Sequence, residues 1–184
     1  AHPKIRRAIE EVLNRPLLHN YCFPTAIRAN LVEKIGTISP EPLKKVFLLT
    51  TGAETIEAAI KLARTWGQKT STAKKVIVSF ENAFHGRTLG AQMVGGTPAL
   101  KTWIGNLDPD MVQIPFPGDP RNPEKEFATF EKNLRAKKVV LDNICGVISE
   151  TFQGGSVGFL PKEYAQALRK WCDAHGALLV FDEV

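Results

Sequence analysis

The sequence predicts an α/β fold, a mostly parallel sheet flanked by helices, and three observations predict it. Short apolar runs at 46–49 (VFLL), 75–80 (KVIVSF), 147–149 (VIS) and 177–181 (ALLVF) lack the alternation of half-exposed strands, so they read as strands buried on both faces. Stretches of helical periodicity separate them, which makes strands and helices alternate along the chain. At 184 residues, 43% hydrophobic and 23% charged, the chain has the length and composition of one soluble globular domain with a real core.

Composition also excludes several classes of function. The net charge of +5 comes from scattered pairs (Arg6-Arg7, Lys44-Lys45, Lys74-Lys75, Lys137-Lys138) without interleaved aromatics. That pattern is a solvated surface and not a nucleic-acid footprint. No stretch has the length of a membrane span, and no signal peptide is visible. Cys22, Cys145 and Cys172 have no CxxC spacing and read as free thiols of a reducing, cytoplasmic compartment. No HxxxH or similar set supports a metal site. The chain starts at Ala1, not Met, and stops at Val184 directly after an apolar run and two carboxylates, which reads as a fragment.

Taken in order, residues 2–14 predict a helix with Pro3 near its start and Ile5, Ile9, Val12 and Leu13 on one face. The HNYCFP segment is a loop whose Tyr21 and Phe23 either pack or line a pocket. A second helix is expected from Thr25 to about Ile35, stopped by Gly36, and Pro40 and Pro42 mark the passage into the main unit. Residues 1–40 thus form an N-terminal helical segment leading into a larger domain at 41–184. There the strand at 46–49 breaks at Thr50-Thr51-Gly52-Ala53, and a helix follows with Ile56, Ala59, Ile60 and Ala63 inward and Glu57 paired with Lys61. A strand, a glycine turn and a helix in succession either make an ordinary βα turn or offer free amides and a helix dipole to an anion, most often a phosphate.

The strand at 75–80 runs into the loop ENAFHGRT and a weak helical stretch, TLGAQMVG. Residues 95–110 are loop-rich, with Trp103 as core anchor, and Met111 to Pro115 is a short strand. FPGDPRNP is an irregular connection, after which Asn122 and Pro123 start a helix with Phe127, Phe130 and Leu134 inward. The strand ending at Glu150 is followed by the loop TFQGGSVG. Pro161 opens a helix with Tyr164, Leu168 and Trp171 on one face, ended near Gly176. The last strand delivers Asp182 and Glu183 at its carboxyl end.

Four polar or glycine-rich clusters therefore follow predicted strands: TTGAE, ENAFHGRT, ETFQGG and DEV. A parallel sheet sets all four on the rim where ligands bind. Phe84, between polar residues of a loop, faces either the core or a ligand. His85 is either a structural histidine or a catalyst. Arg87 is a surface residue, a loop clamp or the holder of a substrate carboxylate. Glu150 either caps a neighbouring loop or faces a ligand. Asp182 is the most pointed, because a carboxylate directly after four apolar strand residues requires a partner. Gly154-Gly155-Ser156-Val157-Gly158 matches the G-x-S-x-G of serine hydrolases, but no strand directly precedes Ser156 and Pro161 delays the helix. His175 and Asp182 also stand in the reverse of the hydrolase order.

TTGAETIEAAIKLAR, FHGRT some thirty residues on, ISETFQGG and ALLVFDEV together resemble, in order and spacing, the class III (ω-amino acid) pyridoxal-phosphate aminotransferases, which include the 4-aminobutyrate, ornithine and acetylornithine enzymes. The likeness covers nearly the whole chain, since AHPKIRRAI resembles that family's early helix. It implies a large-domain fragment of the fold type I pyridoxal-phosphate enzymes. It also implies an amino group moved from an amino acid or ω-amino acid to a 2-oxo acid by a ping-pong route, and a homodimer. By the same resemblance Thr51, Gly52 and Ala53 hold the phosphate of pyridoxal 5'-phosphate, Phe84 stacks on its ring with His85 beside it, and Glu150 belongs to the cofactor site. Asp182 pairs with the ring nitrogen, Val184 packs on the other ring face, and Arg87 binds a substrate carboxylate.

Two positions depart from the family pattern. Thr151 replaces the proline of the E-P-x-Q-x-E segment, and Gly155 stands where the ornithine and 4-aminobutyrate enzymes carry a second glutamate. The family's Schiff-base lysine lies downstream of D-E-V, beyond Val184, so the stretch read here is expected to be the cofactor-binding part of a longer enzyme and inactive alone. A racemase, aminomutase or decarboxylase of the same fold, and a non-catalytic protein keeping the pocket, are the alternatives.

Overall fold

The computed structural model describes residues 2–15 and 22–183. The chain divides into two compact units, Ala1–Leu48 and Leu49–Val184. In the first, helix α1 (Pro3–Leu13) has proline in its first turn and is capped by His2, whose Nδ1 accepts from the Lys4 amide at 3.2 Å. Its Ile5, Ile9 and Leu13 are exposed. Helix α2 (Ala26–Ile38) is capped by the Thr25 hydroxyl. It runs through Gly36, where the sequence predicted its end. One interior glycine costs only about 1 kcal/mol, and the stop comes at Ser39, whose amide and hydroxyl both donate to the Ile35 carbonyl. Phe23 is exposed, and Tyr21 lies outside the described residues.

The predicted strand at 46–49 is not formed: the segment carries no regular structure and Phe47 is 76% exposed. An apolar run becomes a strand only when a neighbour takes up its backbone N–H and C=O groups, and no described strand lies beside it.

The second unit opens with α3 (Gly52–Gln68), followed by β1 (Val76–Phe80), α4 (Leu89–Val94) and β2 (Met111–Ile114). After them come α5 (Ala128–Ala136), β3 (Ile144–Glu150), a hairpin of β4 (Phe152–Gln153) and β5 (Gly158–Phe159), α6 (Lys162–Ala174) and β6 (Leu178–Asp182). Strands β2-β1-β3-β6, in that order, form a sheet in which every pairing is parallel. The expected parallel α/β architecture is present, and all four strands end on one rim.

Helices cover both faces. Val76, Val78 and Phe80 of β1 meet Phe130 and Leu134 of α5 and Tyr164, Leu168 and Trp171 of α6 in one core. Ile77 points the other way and meets Ile56, Ile60 and Ala63 of α3 with Ala91 and Val94 of α4 in the second. The pairing register shifts between Val76 and Ile77, opposite Ile144 and Gly146, so Ile144 and Val147 share a face while Cys145 and Ile148 face α3. Gly146 lets α3 approach: a Cβ there would stand 2.9 Å from the Ala63 Cβ.

Three further expectations need correction. Trp103 is 59% exposed, and it is Ile104 that is buried from that loop. Asn122 does not start α5; its side chain accepts from the Glu124 amide and donates to the Phe116 carbonyl, closing a turn six residues before the helix begins at Ala128. TFQGGSVG is a β-hairpin and not a plain loop, with Phe152 opposite Phe159 across two antiparallel strands.

Candidate functional site

The first part of the site is the start of α3. Thr51 caps the helix through its Oγ1, which accepts from the Glu54 amide at 3.2 Å, and Glu54 Oε2 accepts from the amides of Thr50 (2.8 Å) and Thr51 (3.1 Å). This capping box is legible in the sequence as T-x-x-E at 51–54. It leaves the amides of Gly52 and Ala53 without an acceptor among the described residues, at the positive end of a 17-residue helix. The Thr51 amide is already committed, so its hydroxyl proton is what Thr51 has left to donate.

The second part is the loop after β1, fastened at four points. Its Phe84 amide donates to Glu150 Oε2 at 3.3 Å, at the end of β3. His85 is buried and its Nδ1 stands 2.9 Å from Asp182 Oδ2, at the end of β6. Gly86, at φ 127°, lies against the first turn of α3; a Cβ on it would stand 2.7 Å from the Ala53 Cβ. Past Arg87, the Thr88 hydroxyl and the amides of Gly90 and Ala91 all donate to Glu57 Oε1, at 2.5, 2.8 and 3.1 Å. The predicted Glu57–Lys61 pair is not among the ion pairs; Glu57 turns to α4 because that helix has no cap from its own Thr88.

Four clusters thus converge, as expected. TTGAE reaches the rim at a helix start and not from a strand end; the other three stand at the ends of β1, β3 and β6. Glu150 and Asp182 are cross-strand neighbours in register, with His85 beside them. Burial raises the Glu150 carboxyl above its usual value, against the opposing pull of His85 and the Phe84 amide. One oxygen of Asp182 is bonded to His85 and the other has no partner among the described residues, while His85 Nε2 is buried and unpartnered. Phe84 is 45% exposed, with the Arg87 guanidinium 5.6 Å from its ring centroid. Arg87 has no carboxylate partner among the described residues.

The hairpin closes one side. A Cβ on Gly155 would overlap the Asn82 carbonyl, so the two backbones touch there and only glycine fits. Thr151 donates to Glu183 Oε2 at 2.9 Å, tying the end of β3 to the residue after β6. Ser156 is buried on the hairpin turn with no partner, and His175 Nδ1 is bonded to the Trp171 carbonyl, so no nucleophile elbow exists. Among the described residues no His, Cys, Asp and Glu group has a metal-binding arrangement, and no described helix is long and apolar enough to cross a membrane.

A groove of about 810 Å³ lies elsewhere, beside β2, and takes only Glu81 and Asn82 from these clusters. Its buried Lys101 donates to the Met93 carbonyl and Gln113 Oε1, and burial lowers the pKa of that ammonium. The chemistry gathers at the rim and not in this groove.

The model of the family "Aminotransferase class-III" matches residues 1–184. The chain belongs to that family. This class-III chain is 37% identical over 188 residues to the succinylornithine transaminase of Salmonella typhimurium, covering 100% of the chain and 42% of that protein. A thermostable (S)-enantioselective omega-transaminase from Thermomicrobium roseum superposes with a TM-score of 0.86 over 98% of the chain and 43% of that structure, at 24% identity. An amine transaminase from an uncultivated Pseudomonas species, in its PLP-bound form, superposes at 0.82 over 100% and 44%, at 25% identity. The class-III chain therefore spans about two fifths of the length of these relatives. Of the residues that the resemblance assigned to a cofactor, Thr51, Gly52, Ala53, Phe84, His85, Glu150 and Asp182 gather on one rim, and Val184 lies outside the described residues. Glu54 and Glu57, which hold two of those clusters in place, were not anticipated.

Proposed function

We propose that the full-length protein is a pyridoxal-phosphate-dependent aminotransferase that moves an amino group from an amino acid or ω-amino acid to a 2-oxo acid. The observation that carries the reading is Asp182, at the end of β6: one oxygen is held by a buried histidine that follows the half-exposed Phe84 in the loop, and the other has no partner among the described residues. The residues present fit the cofactor. Two free amides at a helix start suit a phosphate dianion, with the Thr51 hydroxyl as a further donor. The open oxygen of Asp182 suits a protonated ring nitrogen, and the half-exposed Phe84 suits a flat ring.

When bound, pyridoxal phosphate supplies the electron sink that carbanion formation at the substrate carbon requires. The chain's own residues do the rest of what this stretch contributes. Asp182 holds a proton on the ring nitrogen by keeping a fixed negative charge against it, and His85 fixes the direction of that carboxylate. Gly52 and Ala53 anchor the phosphate. Arg87, free of any carboxylate of its own, holds the substrate carboxylate through paired N–H donors. Position 155 carries no side chain, and the Asn82 carbonyl leaves no room for one. The reading carries with it a homodimer.

The test is product analysis on the full-length protein loaded with pyridoxal phosphate, given one amino acid with and without a 2-oxo acid. Amino transfer that requires the 2-oxo acid and is nearly abolished by Asp182→Ala supports the reading. Racemisation, an amino group moved within one substrate, or CO2 release without an acceptor overturns it in favour of a racemase, aminomutase or decarboxylase. Cofactor binding with no turnover of any kind leaves a non-catalytic binding protein.

A further inference from the structure

We propose that Glu57 is a positioning residue for substrate binding: from α3 it fixes the far end of the loop that presents His85 and Arg87. The consequence for substrate rests on the aminotransferase reading; the hold on the loop does not.

Arg87 lies with its guanidinium 5.6 Å from the Phe84 ring centroid and has no ion pair among the described residues. Its backbone is fixed instead from both sides. Gly86 is pressed on Ala53 in the first turn of α3, and Thr88 begins a six-residue helix whose first amides lack a local cap. Thr88 is the residue type that ordinarily caps a helix, yet its hydroxyl is turned away to Glu57 Oε1 and the same oxygen takes the Gly90 and Ala91 amides. One carboxylate oxygen from a different helix, 31 to 34 positions away in sequence, does the capping. The other oxygen lies so close to Gly90 that a Cβ there would overlap it, so the carboxylate is gripped between helix and loop.

A charge-assisted cap of this kind is strong, and α4, at six residues, is too short to hold its own start without it. Helix α3 is also the helix whose first amides are the candidate phosphate donors. Phosphate anchor and substrate arginine therefore hang on one rigid rod, at Ala53 and at Glu57, one helical turn apart. The sequence pattern that placed Glu57 on this face is the i,i+4 spacing of the apolar residues beside it, which leaves Glu57 facing the loop and not bulk solvent.

The experiment compares Glu57→Ala, Glu57→Gln and Gly90→Ala in the full-length protein by amide hydrogen exchange and steady-state kinetics. Glu57→Gln keeps an oxygen in place without the charge and is expected to fall between the parent and Glu57→Ala. Glu57→Ala is expected to lose roughly tenfold in protection at Gly90 and Ala91, the size of a helix cap. KM for carboxylate-bearing substrates should rise by a similar factor, with kcat little changed and pyridoxal phosphate affinity held within about twofold. Gly90→Ala should reproduce the loss by displacing the carboxylate, and should add little to Glu57→Ala. Undiminished protection at Gly90 and Ala91 in Glu57→Ala overturns the proposal, as does an equal loss for amines without a carboxylate. If the parent transfers no amino group at all, the functional reading fails, and the exchange measurements still decide whether Glu57 holds the loop.

Discussion

His85 Nδ1 stands 2.9 Å from Asp182 Oδ2, joining residues 97 positions apart where the loop after β1 crosses the end of β6. The His85 side chain is fully buried and that of Asp182 is 8% exposed. A carboxylate so enclosed is costly without a hydrogen-bonding partner, and this one has a partner for one oxygen only. The imidazole thus fixes the direction of Asp182, whose second oxygen has no partner among the described residues. The buried Nε2 is left without a partner of its own.

His85→Leu in the full-length protein should therefore act through Asp182. Outer residues that orient a functional group typically cost roughly 10- to 100-fold when removed, and a loss of that size in kcat is expected, with folding retained. The check is kcat together with the absorbance of bound pyridoxal phosphate as pH is varied, because a loosened Asp182 holds the ring-nitrogen proton less firmly. An unchanged spectrum and unchanged kcat would show that Asp182 is directed by something else.

Arg87→Leu should discriminate between substrates. A charged hydrogen bond to a carboxylate contributes about 1.5–3 kcal/mol, or roughly 10- to 150-fold in binding. KM for amino acids and 2-oxo acids should rise by that factor, while amines lacking a carboxylate are little affected. Equal impairment of both would refute a carboxylate-binding role.

Gly86→Ala tests the packing of the loop on α3. At φ 127° an L side chain is strained, and the added Cβ would press on Ala53. The expected cost is about 1–3 kcal/mol of stability, read from urea unfolding of the full-length protein, together with weaker cofactor binding if Ala53 belongs to the phosphate turn proposed above. A neutral effect on both would mean that the loop reaches its position by another route.

Glu150→Gln should change how stability depends on pH. Burial raises the folded-state carboxyl above its unfolded value of about 4.5, so the charged form costs stability above the raised value. That cost fades as pH falls through the raised value toward 4.5, because the folded state then takes up the proton first. Glutamine keeps an oxygen for the Phe84 amide and never carries the charge. The variant should be the more stable protein in neutral and alkaline buffer, with an advantage that shrinks on acidification. Urea melts across that range decide it, and an advantage that grows as pH falls would contradict the assignment.

Much of this was already determined by the order of residues. Buried parallel strands at 76–80 and 144–150 follow from apolar runs without alternation, and the inward faces of α3 and α6 follow from helical spacing. The run at 177–181 also forms a parallel strand, at 178–182, but at the edge of the sheet among the described residues it is half-buried with Phe181 exposed, where the sequence predicted burial on both faces. Because parallel strands deliver their loops to one rim, the convergence of ENAFHGRT, ETFQGG and DEV was implicit once those strands were read. What only the tertiary structure decided depends on partners distant in the chain. VFLL at 46–49 has the composition of a strand, yet no described strand pairs with it, and composition cannot report a missing ladder. Asp182 announced its need for a partner; that the partner is His85, and that one oxygen is left over, is set by where two loops cross. Glu57 read locally as half of a surface ion pair with Lys61. A short-range pattern contributes only a few tenths of a kcal/mol, and three hydrogen bonds from another helix outweigh it, so folding and not sequence spacing chose its partner.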